Sequence, residues 1–332
     1  MTNNPSKDHY IPQLYLDAFA MEGSGLKNPH IYQYMDNEVV KPRIKDIASE
    51  KNFYTFKDKL TGKSTRIIDN LLTQIESNAS SPLKKIINTE NINLTNEELE
   101  HLSIFFATLA VRTPGFIKSQ ESLQEEALKE FQAVQAMDIN QLKKICEDTG
   151  QILNDQELKD LQEFIIGKEY SINFTNSNDY FIGQGLKLSM GLSEMYYKKR
   201  WHLLINNTSE PFITSDNPIS IYRPIYLPPV YNAGYGNGTL IIPISPKLSL
   251  LLRDFPLKKN SIKINSYFVK KINKNIIRFS NNYIYSNQEN KRIRTLFKIT
   301  ERKVFQKIKV TRMGWAPFTF MGPLPVPEEI IK

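Results

Sequence analysis

Two short segments about two hundred residues apart hold the side chains best suited to chemistry. One is His9-Tyr10-Ile11-Pro12-Gln13-Leu14-Tyr15-Leu16-Asp17-Ala18-Phe19, the other Phe212-Ile213-Thr214-Ser215-Asp216-Asn217-Pro218. Each sets polar groups beside a proline that forces a change of backbone. Pro12 suits the opening position of a helix, so His9 stands just before a helix start, where unsatisfied N–H groups favour an anion. An imidazole there can act as general acid or base near neutral pH, or simply hydrogen-bond the backbone at the helix entry. Tyr10 and Tyr15 suit contact with a nucleobase, or core packing. In the second segment Asp216 has the chemistry to orient His9, bind a cation or act as a base, and Ser215 to attack or to contact phosphate. Thr214 and Asn217 flank them as substrate contacts. Asp-Asn-Pro is equally good turn chemistry, with Asx side chains capping their own backbone.

Glu76 and Arg112 extend this set. Glu76 ends an apolar helical face, and Arg112 closes the apolar run Leu102 to Val111 before Thr113-Pro114. A guanidinium there can grip phosphate in two-pronged fashion, stabilise the helix end or pair with Glu76. The net charge of +8 is unevenly spread. Residues 258–312 carry sixteen Lys and Arg against Glu289 and Glu301, a net of +14, which leaves −6 for the rest. Such asymmetry is the footprint of a polyanion-facing surface, although charge runs are also ordinary solvated faces. Within it, Lys270, Lys274 and Arg278 fall on one stripe of an amphipathic helix and read as phosphate contacts.

Other chemistries are excluded by pattern. No P-loop, Gly-rich dinucleotide turn or His-Glu-x-x-His motif occurs, nor a Gly-x-Ser-x-Gly elbow. His9, His30, His101 and His202 lack metal-ligand spacing, and the lone Cys146 forms neither an internal disulfide nor a thiolate zinc site. No metal and no cofactor are expected. The residues Met1 to Asp8 lack the apolar core of a secretory signal, and no apolar run approaches the roughly 20 residues of a membrane span. The expectation is a cytoplasmic chain without membrane association.

These residues must be held by mixed secondary structure. Helical periods predict helices from Pro12, over Lys41 to Ala48, from Ile67 to Ile75 and resuming at Leu83, and from the Thr95 capping box to Arg112. Further helices are predicted over Phe116 to Ala136, Ile139 to Glu147, Asp155 to Ile166, Asp179 to Arg200, Ser266 to Asn281 and Glu289 to Arg302. Gly183, Gly185 and Gly191 in the helix over Asp179 to Arg200 suggest close packing by a neighbour. Strand-like runs are His30 to Met35, Asn52 to Phe56, Trp201 to Asn206, Pro211 to Thr214, Thr239 to Ile244, Leu248 to Leu252 and Tyr283 to Ser286. A Gly- and Pro-marked loop (Gly23, Gly25, Pro29) and turns over Pro224 to Gly238 separate them. The expected class is α+β: a mainly helical N-terminal half packed with a mixed or antiparallel sheet from the C-terminal half. One integrated domain over 1–332 is expected, with a sub-boundary near residue 200 as the alternative, dividing a helical 1–200 from a sheet-containing, basic 201–332.

The chain resembles a bacterial family known as domain of unknown function 4238. The His-Tyr-x-Pro-x-x-Tyr-Leu-x-x-Phe pattern at His9 to Phe19 matches its opening signature, and Thr214 to Pro218 its second. Ile75-Glu76, Arg112-Thr113-Pro114, Trp201, Ile242 to Pro246, Asn273 and Ile284 to Ser286 match further landmarks, over roughly residues 8 to 290. The resemblance implies landmarks rather than a mechanism, and an accessory bacterial role such as defence or toxicity. The residues suggest a nucleic-acid-processing enzyme, a metal-independent ribonuclease-like effector acting on RNA more than DNA. In it His9 is acid or base, Asp216 or Glu76 orients it, and Arg112 and Ser215 steady the phosphate. The alternatives are a non-catalytic nucleotide or nucleic-acid binding module and a structural or assembly protein. An oligomer or protein partner is left open.

Overall fold

Long apolar helices in the first two hundred residues and β-branched strands after them make the chain α+β. The computed structural model describes residues 7–23, 27–36, 38–54, 56–57, 64–174, 177–224, 234–302, 312–313 and 316–317. Gly25, Thr55, most of the Pro224 to Gly238 turn and the basic residues 303–311 lie outside the described residues. The chain divides into two compact units, with boundaries at Ile117/Lys118 and Ser177/Asn178 rather than near residue 200. Elements from both sides of residue 200 share the first unit.

The first unit begins with strand β1 (Lys7–His9), paired antiparallel with β4 (Ser49–Lys51) so that His9 faces Ser49. Helix α1 (Gln13–Leu16) starts directly after Pro12 and tightens into a 3-10 turn over Asp17–Phe19. The helix expected over Lys41 to Ala48 is only a 3-10 turn, Ile44–Asp46. Ala48 takes a positive φ (49°) that turns the chain into β4 instead of prolonging a helix, and Asn52 (φ 57°) turns it out again. Helix α2 (Ile67–Thr89) is continuous where a break was expected. It accommodates Pro82, losing one backbone bond while burying Leu72, Ala79, Pro82, Leu83 and Ile86. Helix α3 (Asn96–Val111) opens with the capping box of Thr95 and Glu98 and buries nine of its residues. Pro114 then opens α4 (Pro114–Ala136), with the Thr113 hydroxyl accepting from Phe116 N–H.

Two sheets complete this unit. The five-stranded sheet has the order β12-β7-β11-β10-β9: β7 (Arg200–Asn206), β9 (Ser220–Tyr222), β10 (Thr239–Pro243), β11 (Leu248–Arg253) and β12 (Ser261–Ile264). Only β12 runs parallel to its neighbour β7. The four-stranded sheet is antiparallel, with the order β3-β2-β13-β8. Its strands are β2 (Tyr32–Tyr34), β3 (Val39–Val40), β8 (Thr214–Ser215) and β13 (Ile284–Ser286). Helices α8 (Ser266–Phe279) and α9 (Lys291–Ile299) bury Val269, Ile272, Ile276, Ile293 and Phe297 with Leu204, Ile241 and Leu251 of the larger sheet. Strands β5 (Phe56–Lys57) and β6 (Ser64–Thr65) form a small ladder. Among the described residues no helix is long and apolar enough to cross a membrane.

The second unit spans Lys118–Ser177 and Lys307–Gly322. It contains the remainder of α4, then α5 (Ile139–Asp148) and α6 (Asp155–Gly167), around a small core of Ala136, Leu142, Cys146 and Leu158. Cys146 serves there as a small apolar side chain. Asp138 and Asn154 cap α5 and α6 through their side chains. A two-residue ladder joins β14 (Arg312–Met313) and β15 (Ala316–Pro317).

Of the three glycines in α7 (Ser177–Lys198), only Gly185 reflects close packing. A Cβ there would lie 2.9 Å from the Val111 carbonyl oxygen and 3.2 Å from Phe116, whereas Gly183 and Gly191 have open space. Gly185→Ala is expected to destabilise by about 1–3 kcal/mol through overpacking. Gly183→Ala should gain up to about 1 kcal/mol of helix propensity. Denaturant melts of both variants check this opposite sign.

Candidate functional site

The β1–β4 pairing is what places His9. Its backbone is held opposite Ser49, and its half-buried ring reaches the Lys45 carbonyl with Nε2 at 3.2 Å. A carbonyl only accepts, so Nε2 carries the proton and the neutral ring presents a lone pair on Nδ1. Burial lowers the His9 pKa below 6.5 and outweighs the opposing bond to Lys45, so the imidazole is neutral at pH 7. His9 lines a polar cleft of about 190 Å³ with Lys7, Asp8, Gln13, Leu14, Tyr54, Asp69, Leu72, Thr73 and Glu76.

Charges around this cleft are paired in sequence. Asp8, whose side chain is fully buried, accepts from Arg66 Nη2 at 2.7 Å and from Tyr54 N–H at 3.0 Å. Arg66 also meets Asp69 at 2.9 Å. Glu76 accepts from Arg112 Nη1 at 2.8 Å, while Arg112 Nε donates to the Tyr10 carbonyl at 3.0 Å. Arg112 is 3% exposed, and its Nη2 is buried with no hydrogen-bond partner. A guanidinium with an unsatisfied nitrogen in the interior is costly.

The second signature has a different use. Asp216 is 2% exposed and accepts from three consecutive amides: Asn281 at 2.8 Å, Asn282 at 2.7 Å and Tyr283 at 3.1 Å. It clamps the turn after α8 and makes no hydrogen bond to His9, contrary to the orienting role expected for it; nor does Glu76, which holds Arg112. Ser215 Oγ donates to the Asn217 carbonyl at 2.8 Å and accepts from its N–H at 3.2 Å. The nucleophile expected there is a buried turn cap. Asn217 Nδ2 donates to the Phe279 carbonyl at 2.9 Å, at the end of α8. Tyr15 donates its one proton to the Pro243 carbonyl, so Thr214 must donate to the Tyr15 oxygen at 3.0 Å. Tyr15, Thr214 and Asn217 are therefore internal fasteners, not exposed contacts. Pro211 to Ile213, expected as strand, is tied instead by Asn273 of α8. Its Nδ2 donates to Pro211 O at 2.9 Å and its Oδ1 accepts from Ile213 N–H at 3.2 Å.

Tyr10 belongs to the first signature and lies within electrostatic reach of Asp216 in the second. Its carbonyl takes Arg112, its ring packs against Phe53 with centroids 6.1 Å apart, and burial, followed by the Asp216 carboxylate, pushes its phenol pKa up. Lys270 and Lys274 are exposed on α8 and Arg278 is half-buried; none lines the His9 cleft. The lining residues Asp69, Leu72, Thr73 and Glu76 recur at helical spacing on α2, a pattern in the sequence that could have joined Asp69 and Thr73 to Glu76. Asp8 and Arg66 gave no such signal, because they stand 58 residues apart in sequence and meet only in the fold. Among the described residues no group of three or more His, Cys, Asp or Glu could hold a metal ion.

The family described as protein of unknown function (DUF4238) matches residues 7–290. The chain belongs to this family. The family span includes both signatures, the Glu76–Arg112 pair and Asn273. No curated protein and no solved structure matches the chain.

Burial raises the Asp216 pKa to about 6 despite its amide bonds. The folded state then holds this proton more tightly than the unfolded chain, so the stabilisation is full below the unfolded value of 3.8 and is lost as pH rises through about 6. Relative to Asp216→Asn, the protein should lose roughly 2–3 kcal/mol between pH 4 and pH 7. Urea melts of both proteins across that range measure it.

Proposed function

We propose that the chain is a nucleic-acid-processing enzyme, a ribonuclease-like hydrolase of the bacterial defence or toxin type that acts on RNA in preference to DNA. The observation carrying this reading is a neutral imidazole in a polar cleft, with the buried, incompletely paired Arg112 behind Glu76. His9 Nδ1 takes the proton of a ribose 2′-hydroxyl, whose oxygen then attacks the adjacent phosphorus. The 5′-oxygen leaves and takes a proton from solvent in the cleft. Arg112 supplies positive charge near the phosphate, and Glu76 positions Arg112. The exposed Lys270 and Lys274 of α8, with Lys291, Arg292, Arg294 and Lys298 of α9, give the same unit a basic surface suited to the backbone of the strand.

A binding module without turnover is the second reading. It is favoured by the ion pairing of Asp8, Asp69 and Glu76 in the cleft, which leaves few groups free for proton transfer.

Incubation of the purified protein with total RNA, tRNA and plasmid, with and without EDTA, separates the readings. Cleavage of RNA that survives EDTA and falls by about 10²-fold or more in His9→Ala is expected. Full activity in that variant contradicts the assignment, and saturable binding without product supports the module. Because the lowered His9 pKa keeps the base neutral, kcat/KM should be flat near pH 7 and fall on acidification only below 6.5.

A further inference from the structure

A second cavity, of about 600 Å³, contains none of the residues discussed above as catalytic. It is an open groove in the first unit, where three segments meet: Asn206 to Pro211 after β7, the β10–β11 turn at Pro246 and Lys247, and Asn287 and Gln288 after β13. Its frame is held by satisfied bonds. Asn206 Nδ2 donates to the Glu210 carbonyl at 2.7 Å and to the Pro246 carbonyl at 3.3 Å, while its Oδ1 accepts from Thr208 N–H and hydroxyl at 2.9 and 2.7 Å. Tyr34 donates to the Gln288 carbonyl and accepts from Asn290 N–H.

Within that frame several polar groups are unspent. Asn207, Ser209 and Asn287 make no side-chain hydrogen bond among the described residues, and the Asn287 Oδ1 is buried without a partner. Lys247 has only an exposed ion pair with Glu90, which is worth little. The lining has no acid, two proline rings and one cation. The Asn207 carboxamide offers a donor and an acceptor side by side and Asn287 Nδ2 a further donor, groups that read the edge of a heterocyclic base, and a lysine is a point-charge phosphate binder. The volume lies within the range of small-molecule sites.

We propose that this groove binds a ribonucleotide, its base edge on Asn207 and Asn287 and its phosphate on Lys247. The proposal does not rest on the cleavage reading, since the groove and the His9 cleft share no residue. The nucleotide is either free or part of a strand.

Calorimetric titration of the full chain with the four ribonucleoside monophosphates, the parent nucleosides and a short oligoribonucleotide tests it. At least one monophosphate should bind saturably. Asn287→Ala should weaken it about tenfold or more, and Lys247→Ala should weaken the monophosphate more than its nucleoside. His9→Ala should leave this binding unchanged, which keeps it separate from the fate of cleavage. Tighter binding of the oligonucleotide than of the monophosphate assigns the groove to a strand; the reverse assigns it to the free nucleotide. No binding up to about 5 mM of any probe, or affinities unchanged in both variants, overturns the proposal. Lys247 is exposed, so its variant keeps the test valid if Asn287→Ala does not fold.

Discussion

A buried stretch of irregular backbone, residues 211–217, imposes the constraint on which much of the first unit depends. Interior amides and carbonyls must find partners, and only Thr214 and Ser215 of this stretch are in a strand. Side chains supply the rest: Asn273 serves Pro211 and Ile213, Ser215 caps Asn217, and Asn217 reaches the end of α8. Asp216 gathers the amides that follow that helix. The segment, the helix and strand β13 are thereby tied into one piece.

That knot extends to the N-terminal signature through Tyr15, whose hydroxyl joins Thr214 to the Pro243 carbonyl. Tyr15 fixes α1, and β1 ends at His9, six positions before it. Arg112 holds the intervening Tyr10 carbonyl from the other side while binding Glu76 of α2. The two signatures thus differ in role though they are coupled. The second consumes its polar groups in the fold; the first sets a half-buried imidazole in the lining of a cleft.

Much of the fold was legible in the sequence because it is local. The Thr95–Glu98 box, the Thr113-Pro114 junction and the amphipathic stripe of α8 declare themselves within a few residues. The pairing of Arg112 with Glu76, one of three roles open to that arginine, is formed in the fold. What was not legible depends on distant partners. Strands β1 and β4 are three residues each and polar, so neither alternation nor propensity marks them; yet their pairing places His9 and buries Asp8. Thr214 to Asn217 had the composition of a site and of a turn alike, and only the positions of Asn273 and residues 281–283 decide between them. The amide groove has no sequence pattern, because its three segments lie up to about eighty residues apart.

The division of labour between the signatures is the central claim, and thermal melting of Ser215→Ala beside His9→Ala tests it most directly. Loss of the buried Ser215 hydroxyl leaves the Asn217 amide without its partner, costing about 1–3 kcal/mol and lowering Tm by several degrees. His9→Ala, which gives up one half-buried contact to Lys45, should melt within about two degrees of the parent. A Ser215→Ala protein as stable as the parent, or a His9→Ala protein that melts several degrees lower, would contradict the account.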